Sequence, residues 1–329
     1  MSAAAAGAWL SVHALPAALA ANSRTRGASP ADSSEPVVWR DMTQRELERA
    51  LGETAASENA SQIAARFAAR SAYARTILGN PARYAYGPKE AERIALYAPS
   101  DAGVAIEGPA PVMFFVHGGA WQSGTADEHL FLAEPFLHEG FFFALADFPA
   151  VQEVGGDLQR QADSVKKAFL WLAKNAPRLG IDPEGIYVCG HCSGAHHAAL
   201  LATSIWAQEG LAADVIKGAV LIGGLYELKP VRLSGRRLPK LTHAQEEALS
   251  PARRLESLNA ALVVACGEFD SPEVLRQSRE LFDAMRQKDK RTVALKLSCC
   301  NHLEALESLS DPDSPLARAA FSLMRNQGA

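Results

Sequence analysis

Ile186-Tyr187-Val188-Cys189-Gly190-His191-Cys192-Ser193-Gly194-Ala195 is the stretch on which the fold turns. Apolar residues run into a G-x-x-x-G turn, and an Ala-rich, helix-forming segment continues to Thr203. Strand, sharp turn and helix in that order form the setting of a nucleophile elbow, whose middle residue here is Cys192. The two glycines serve a turn too tight for side chains, which forces the middle residue into a strained backbone conformation with its side chain exposed. At the N-terminus of the following helix, unpaired N–H groups and the helix dipole favour an anion and lower a thiol pKa. The competing interpretation is structural, because such turns occur without chemistry and a free cysteine often behaves as a small core hydrophobe.

Working outward, Pro111 to Val116 reads as a continuous buried strand that ends directly at His117-Gly118-Gly119-Ala120-Trp121. Glycines there let the backbone approach a ligand and aim N–H groups at it, so Gly118, Gly119 and the Ser193 N–H form a candidate oxyanion hole. Without the elbow, the same pattern would be a glycine-rich connection beside a core tryptophan.

A cysteine nucleophile needs a base that an acid orients, and in folds with this elbow the chain order is nucleophile, acid, base. Downstream of the elbow helix stand two histidines, His243 and His302. His302, just after a strand ending at Ser298-Cys299-Cys300-Asn301, is the better placed. For the acid, Gly267-Glu268-Phe269-Asp270 follows the preceding strand, with Asp270 favoured and Glu268 the runner-up. The structural alternative for Asp270 is a helix N-cap ahead of Ser271-Pro272-Glu273. His191 reads as a packing residue. His196 and His197 fall in the first helical turn, where neighbouring positions do not face one point, so no metal site is expected from them. Cys189-x-x-Cys192 invites a redox interpretation, but the first cysteine belongs to the buried strand and the second to the elbow.

The remaining chain alternates strands and helices. Strands are expected at 83–86, 93–97, 111–116, 141–147, 186–189, 216–223, 261–267 and 292–298, with helices near 127–138, 157–175, 195–203 and 271–287 and after Asp313. That alternation implies an α/β fold with a mostly parallel sheet covered on both faces and a site at the carboxyl ends of its strands. Residues 1–36 lack periodicity and read as disordered or processed. Residues 37–80 read as a helical cap, with a capping box at Thr43-Gln44-Arg45-Glu46 and Ile63, Phe67 and Ala74 along a stripe. Residues 81–329 form the main domain, with an insertion at about 228–249.

At 329 residues, 48% hydrophobic and 21% charged, with a net charge of −4, the chain is an ordinary globular sequence without the basic footprint of a nucleic-acid binder. Ala3 to Ala21 is interrupted by His13 and Pro16, so no transmembrane segment is expected. Ala18-Leu19-Ala20 fits an export cleavage site, but no Lys or Arg precedes Trp9. The five cysteines are odd in number, show no framework spacing and read as reduced thiols, which favours a cytoplasmic protein over an exported one. No cofactor is called for. The expected partner is a small-molecule substrate, and a homodimer is compatible with the sequence.

Taken together, Asp41 to Leu47, His117 to Trp121, Gly190 to His196, Leu249-Ser250-Pro251, Ser271-Pro272-Glu273 and Asn301 to Glu304 resemble the kynurenine formamidase (arylformamidase) type of α/β hydrolase. The family's HGGxW loop is matched residue for residue, and its G-H-S-x-G-A-H elbow is matched except that Cys192 replaces the nucleophilic serine. The resemblance implies the α/β-hydrolase fold with an N-terminal helical cap, and a Cys192, Asp270, His302 triad. It further implies an oxyanion hole near Gly118 and Gly119, and a pocket containing Trp121, with His117 beside it. The expected activity is cofactor-independent cleavage of a small ester, lactone or N-formyl aryl amide through a thioester. Acyl transfer through the same thioester and a non-catalytic ligand-binding role are the alternatives.

Overall fold

The computed structural model describes residues 10–12, 35–52, 59–236, 239–288 and 290–325. The first segment, Leu10–Val12 (β1), pairs in parallel with the edge of the main sheet. Part of the stretch expected to be disordered or processed therefore carries a strand, while the candidate cleavage site at Ala18-Leu19-Ala20 lies outside the described residues. A small hairpin, Val37–Trp39 (β2) and Met42–Thr43 (β3), leads into Gln44–Ala50 (α1), whose start carries the expected Thr43 and Glu46 capping box. Ala60–Leu78 (α2) follows, burying Ile63, Phe67 and Ala74.

The main body then runs Ala82–Ala85 (β4), Arg93–Tyr97 (β5), Ala110–Val116 (β6), Ala133–His138 (α3), Phe142–Ala146 (β7), Leu158–Asn175 (α4), Ile181–His191 (β8) and Ser193–Ala202 (α5). It continues through Gly218–Ile222 (β9), Lys229–Leu233 (α6), His243–Leu249 (α7), Ala261–Gly267 (β10), Pro272–Gln287 (α8), Thr292–Leu297 (β11), His302–Glu307 (α9) and Pro315–Arg325 (α10). The helix expected from 127 to 138 is instead a 3-10 segment, Ala126–Leu132, followed by the short α3. Pro135 has no N–H to give to an upstream carbonyl, so a regular α-helix starts only where that N–H would be unpaired anyway.

Nine of the eleven described strands form one sheet in the order β1-β11-β10-β9-β8-β6-β7-β5-β4, and β2 and β3 pair only with each other. Pairing is parallel except where β5 meets β4 and β7. From β6 the chain winds one way to β7, and from β8 it winds the other way through β9 and β10 to β11. The crevice at such a reversal lies beyond the carboxyl ends of β6 and β8, and both glycine-rich motifs are there.

Because β6 is buried on both faces, its residues divide between two cores. Val112, Phe114 and Val116 pack with Phe169 and Leu172 of α4 and Leu281 of α8. Met113 and Phe115 pack with Ile63 and Phe67 of α2, Phe136 of α3 and Phe321 of α10. The two helices expected to form one cap therefore separate. While α2 covers one sheet face, α1 joins Trp121, Leu158, Leu200 and the insertion residues Leu228, Val231 and Leu249 in a third cluster. Together they flank the crevice.

Candidate active site

Cys192 sits between β8 and α5 with φ 57° and ψ −124°, a conformation that side-chain-bearing residues rarely adopt. The turn closes because nothing larger than hydrogen fits at its shoulders. A Cβ on Gly190 would lie 2.2 Å from the Gly194 carbonyl oxygen, and one on Gly194 would lie 2.0 Å from that of Val116. The Cys192 N–H donates to the Ile222 carbonyl at 2.9 Å, tying the elbow to the end of β9. The half-buried thiol therefore opens α5 and faces the crevice.

His302 is the first residue of α9, whose N-cap Asn301 accepts from the Leu303 and Glu304 N–H groups while Glu304 accepts from the Asn301 N–H. That reciprocal cap fixes the start of the helix and with it the ring. The imidazole Nδ1 lies 2.6 Å from Asp270 Oδ1, and the other Asp270 oxygen accepts from the Gly267 N–H at 2.7 Å. Ser271, not Asp270, caps α8, accepting from the Val274 N–H, so the Asp270 carboxylate is free to face His302. Of the runners-up, Glu268 accepts from the Cys299 N–H at 2.9 Å, and His243 lies exposed at the start of α7.

The opposite ring nitrogen, His302 Nε2, is buried and lacks a fully formed hydrogen bond, yet it is coupled to Cys192 by charge and by a loose hydrogen bond. Contacts of this kind tighten when substrate arrives. Burial alone would raise the Cys192 pKa, but the His302 charge, its hydrogen bond and the backbone N–H groups of Ser193 and Ala120 outweigh burial and hold it below the ordinary thiol value. Burial likewise opposes charge on His302, and there the thiolate and Asp270 prevail and raise its pKa. The pair favours thiolate and imidazolium.

Beside the Ser193 N–H, the backbone N–H that bears on the Cys192 sulfur is that of Ala120. Gly118 is pressed against the elbow, where a Cβ would meet that of Cys192 at 3.0 Å. Gly119 has φ 120°, and Ala120 and Trp121 follow at 51° and 65°. This left-handed run turns the Ala120 amide toward the sulfur, a feature that depends on dihedral angles invisible in the motif. His117, expected beside the pocket, lies behind the loop. Its ring stacks on Phe148 with centroids 4.3 Å apart, and Nδ1 is 2.8 Å from the Gly118 carbonyl oxygen. A stiff apolar neighbour and a neutral ring, with its pKa lowered by burial to about 4, make it part of the loop's support.

Two cavities meet at Cys192 and His302. One, about 440 Å³, is walled by Ala64, Phe67 and Ala68 of α2 and by Leu303 and Leu306 of α9. The other, about 40 Å³, is bounded by Trp121, Leu225, Val274, Leu51 and Arg236, whose guanidinium donates to the Leu51 carbonyl. Cys189 is buried in the core with its pKa raised, which separates it in environment from Cys192. Cys299 is exposed and Cys300 half-buried, and neither lines these cavities. One group of described residues, His243, Glu246 and Glu247, could converge on a cation. Arg232 and Arg253 already engage Glu246, and Arg253 also engages Glu247.

Comparison with known proteins shows what this chain is similar to. The family described as BD-FAE matches residues 95–217. The chain is 28% identical to kynurenine formamidase from Salmo salar, covering 87% of this chain and 98% of that one. It is 29% identical to kynurenine formamidase from Danio rerio, over 73% and 80% of the two chains. It has the α/β-hydrolase fold and is similar to these kynurenine formamidases. Solved structures carry the same fold. A candidate thioesterase from Silicibacter superposes with a TM-score of 0.71 at 23% identity, over 85% of this hydrolase and 99% of that chain. A thermophilic esterase from Thermogutta terrifontis superposes at 0.60 and 19% identity, over 74% and 94%. No described helix of this hydrolase is long and apolar enough to cross a membrane.

Proposed function

We propose that this hydrolase cleaves a small ester, lactone or N-formyl aryl amide through a covalent thioester on Cys192. The observation that carries this is the Asp270 and His302 contact at 2.6 Å, on the side of the imidazole opposite Cys192, with the cysteine presented at a strained elbow. With a formamide, the thiolate adds to the formyl carbon and the carbonyl electron pair moves onto oxygen, where the Ala120 and Ser193 N–H groups receive it. The oxyanion collapses, the C–N bond breaks, and the departing amine takes the proton from His302 Nε2. Water then adds to the thioester, giving a proton back to Nε2, and formate leaves as the thiolate returns. Asp270 holds the ring and stabilises its charged form throughout.

The cavities support an aryl or acyl group in the 440 Å³ chamber and a formyl hydrogen or short acyl group at the 40 Å³ recess beside Trp121. The kinship with proteins named kynurenine formamidase favours the formamide within this class. Intact-protein mass spectrometry after brief mixing with p-nitrophenyl acetate or formanilide tests the proposal. An acetyl or formyl adduct with product release, both lost in Cys192→Ala, is the expected result. Turnover by Cys192→Ala equal to wild type would overturn it, as would an inert wild type beside an active Cys192→Ser.

A further inference from the structure

The loop that carries Ala120 is not self-supporting. Ala120 and Trp121 are consecutive left-handed residues with β-carbons, a strained conformation that persists only where the surroundings impose it. The Trp121 carbonyl accepts from the Val151 N–H at 2.8 Å and from Gln161 Nε2 at 2.9 Å. Gln161 lies on α4 and has no exposed surface. Its second amide proton goes to the Pro149 carbonyl at 2.9 Å, and its Oε1 is 3.2 Å from His197 Nε2. The neighbouring His196 Nδ1 accepts from the Trp121 indole N–H at 3.2 Å, while its Nε2–H donates to the Leu249 carbonyl at 2.8 Å.

His196 and His197 belong to α5, the helix whose first N–H is that of Ser193. The two histidines from which no metal site was expected thus grip one tryptophan, His196 by its ring and His197 through Gln161 by its backbone. Both are kept neutral by burial, His196 at about 4 and His197 well below its ordinary value. A neutral ring holds a proton on one nitrogen and can accept at the other, and His196 uses both, while His197 uses only its Nε2, toward Gln161 Oε1.

Resting on the function proposed above, we infer that Gln161 is a positioning residue for the oxyanion hole, tying the Ala120 loop to the elbow helix through His197 so that the two backbone donors stay aimed at one oxygen. It touches no reacting atom. Its effect is therefore expected in the transition state rather than in substrate binding, because only interactions strengthened there change the chemical step.

The test compares wild type with Gln161→Met, an unbranched apolar replacement, and with His197→Phe, which leaves Gln161 in place but unanchored. The substrate is p-nitrophenyl acetate. The probes are trifluoroacetophenone, whose carbonyl carbon accepts the Cys192 thiolate to leave an oxyanion in the hole, and acetophenone, whose carbonyl is far less electrophilic. For Gln161→Met, kcat should fall roughly 10- to 100-fold with KM nearly unchanged, since a misdirected donor costs up to what its removal costs. Trifluoroacetophenone inhibition should weaken by the same factor while acetophenone binding stays put. His197→Phe should move both in the same direction by a smaller factor, which keeps the test open if Gln161→Met fails to fold.

A folded Gln161→Met with wild-type kcat and undiminished trifluoroketone affinity overturns the role of Gln161, as does equal loss for both ketones. For a Gln161→Met that does not fold, a His197→Phe with unchanged kcat and trifluoroketone affinity has the same force. A wild type that fails to prefer trifluoroacetophenone over acetophenone instead overturns the proposed function itself.

Discussion

Two regions around the elbow bury histidines almost equally and treat them in opposite ways. His302, 3% exposed, lies against Asp270 and Cys192 and has its pKa raised. His196, fully buried, lies against an indole N–H and a backbone carbonyl and has its pKa lowered to about 4. Burial penalises the charged ring in both, so partners decide the outcome: a carboxylate and a thiolate reverse the penalty, and neutral dipoles do not. One region holds the charge that the reaction moves, while the other is a neutral frame that can aim backbone donors at all ordinary pH.

The largest effect that would break this contrast comes from Asp270→Asn. Removing the carboxylate while keeping the shape should lower kcat by about 10²- to 10⁴-fold, measured with p-nitrophenyl acetate. A loss below tenfold would mean that His302 does not depend on its acid. The pH dependence sharpens the same point. Because the Cys192 pKa is lowered by its imidazolium partner, the midpoint for alkylation of Cys192 by iodoacetamide should lie below the ordinary thiol pKa of about 8.5. In Asp270→Asn the imidazolium loses its support and the thiolate loses its partner, so the alkylation midpoint should rise. A midpoint already near the ordinary value in wild type would sink the ion-pair assignment.

A change in the chamber should disturb neither region. Ala68→Phe places a ring in the 440 Å³ space and should raise KM for a p-nitrophenyl ester of a bulky acid by about tenfold while leaving the acetate ester within twofold. Equal losses for both esters would show that the larger acyl group does not enter that chamber. The smallest effect concerns the strain at the elbow. Cys192→Gly removes the side chain from φ 57° and should stabilise the inactive fold by about 1 kcal/mol, read by calorimetry as a higher Tm. A lower Tm would mean that the thiol contributes more by packing than it costs in strain.

The sheet and its alternating helices were legible because β6 and the Ile186 to Cys189 half of β8 are continuous apolar runs that end at glycine motifs, and burial on both faces requires that pattern. Less was legible in the 37–80 segment. Amphipathic stripes marked α1 and α2 as packed helices, but a stripe does not say which sheet face it will cover, and the two went to different clusters. The acid and base positions followed from chain order. That Ser271 takes the capping role and leaves Asp270 to His302 depends on a choice between adjacent residues that local propensity leaves open.

What is local in this molecule could be read from the chain. A turn between Gly190 and Gly194 excludes larger side chains through contacts within its own few residues and the strand beside it, so the elbow is written where it forms. The aiming of the Ala120 amide, the stacking of His117 on Phe148 behind its loop and the Gln161 bridge to His197 join residues far apart in sequence. Those arrangements exist only after β6, α4 and α5 are packed together. Hydrogen bonds over such separations gain their geometry from the packing and carry no periodic signature of their own.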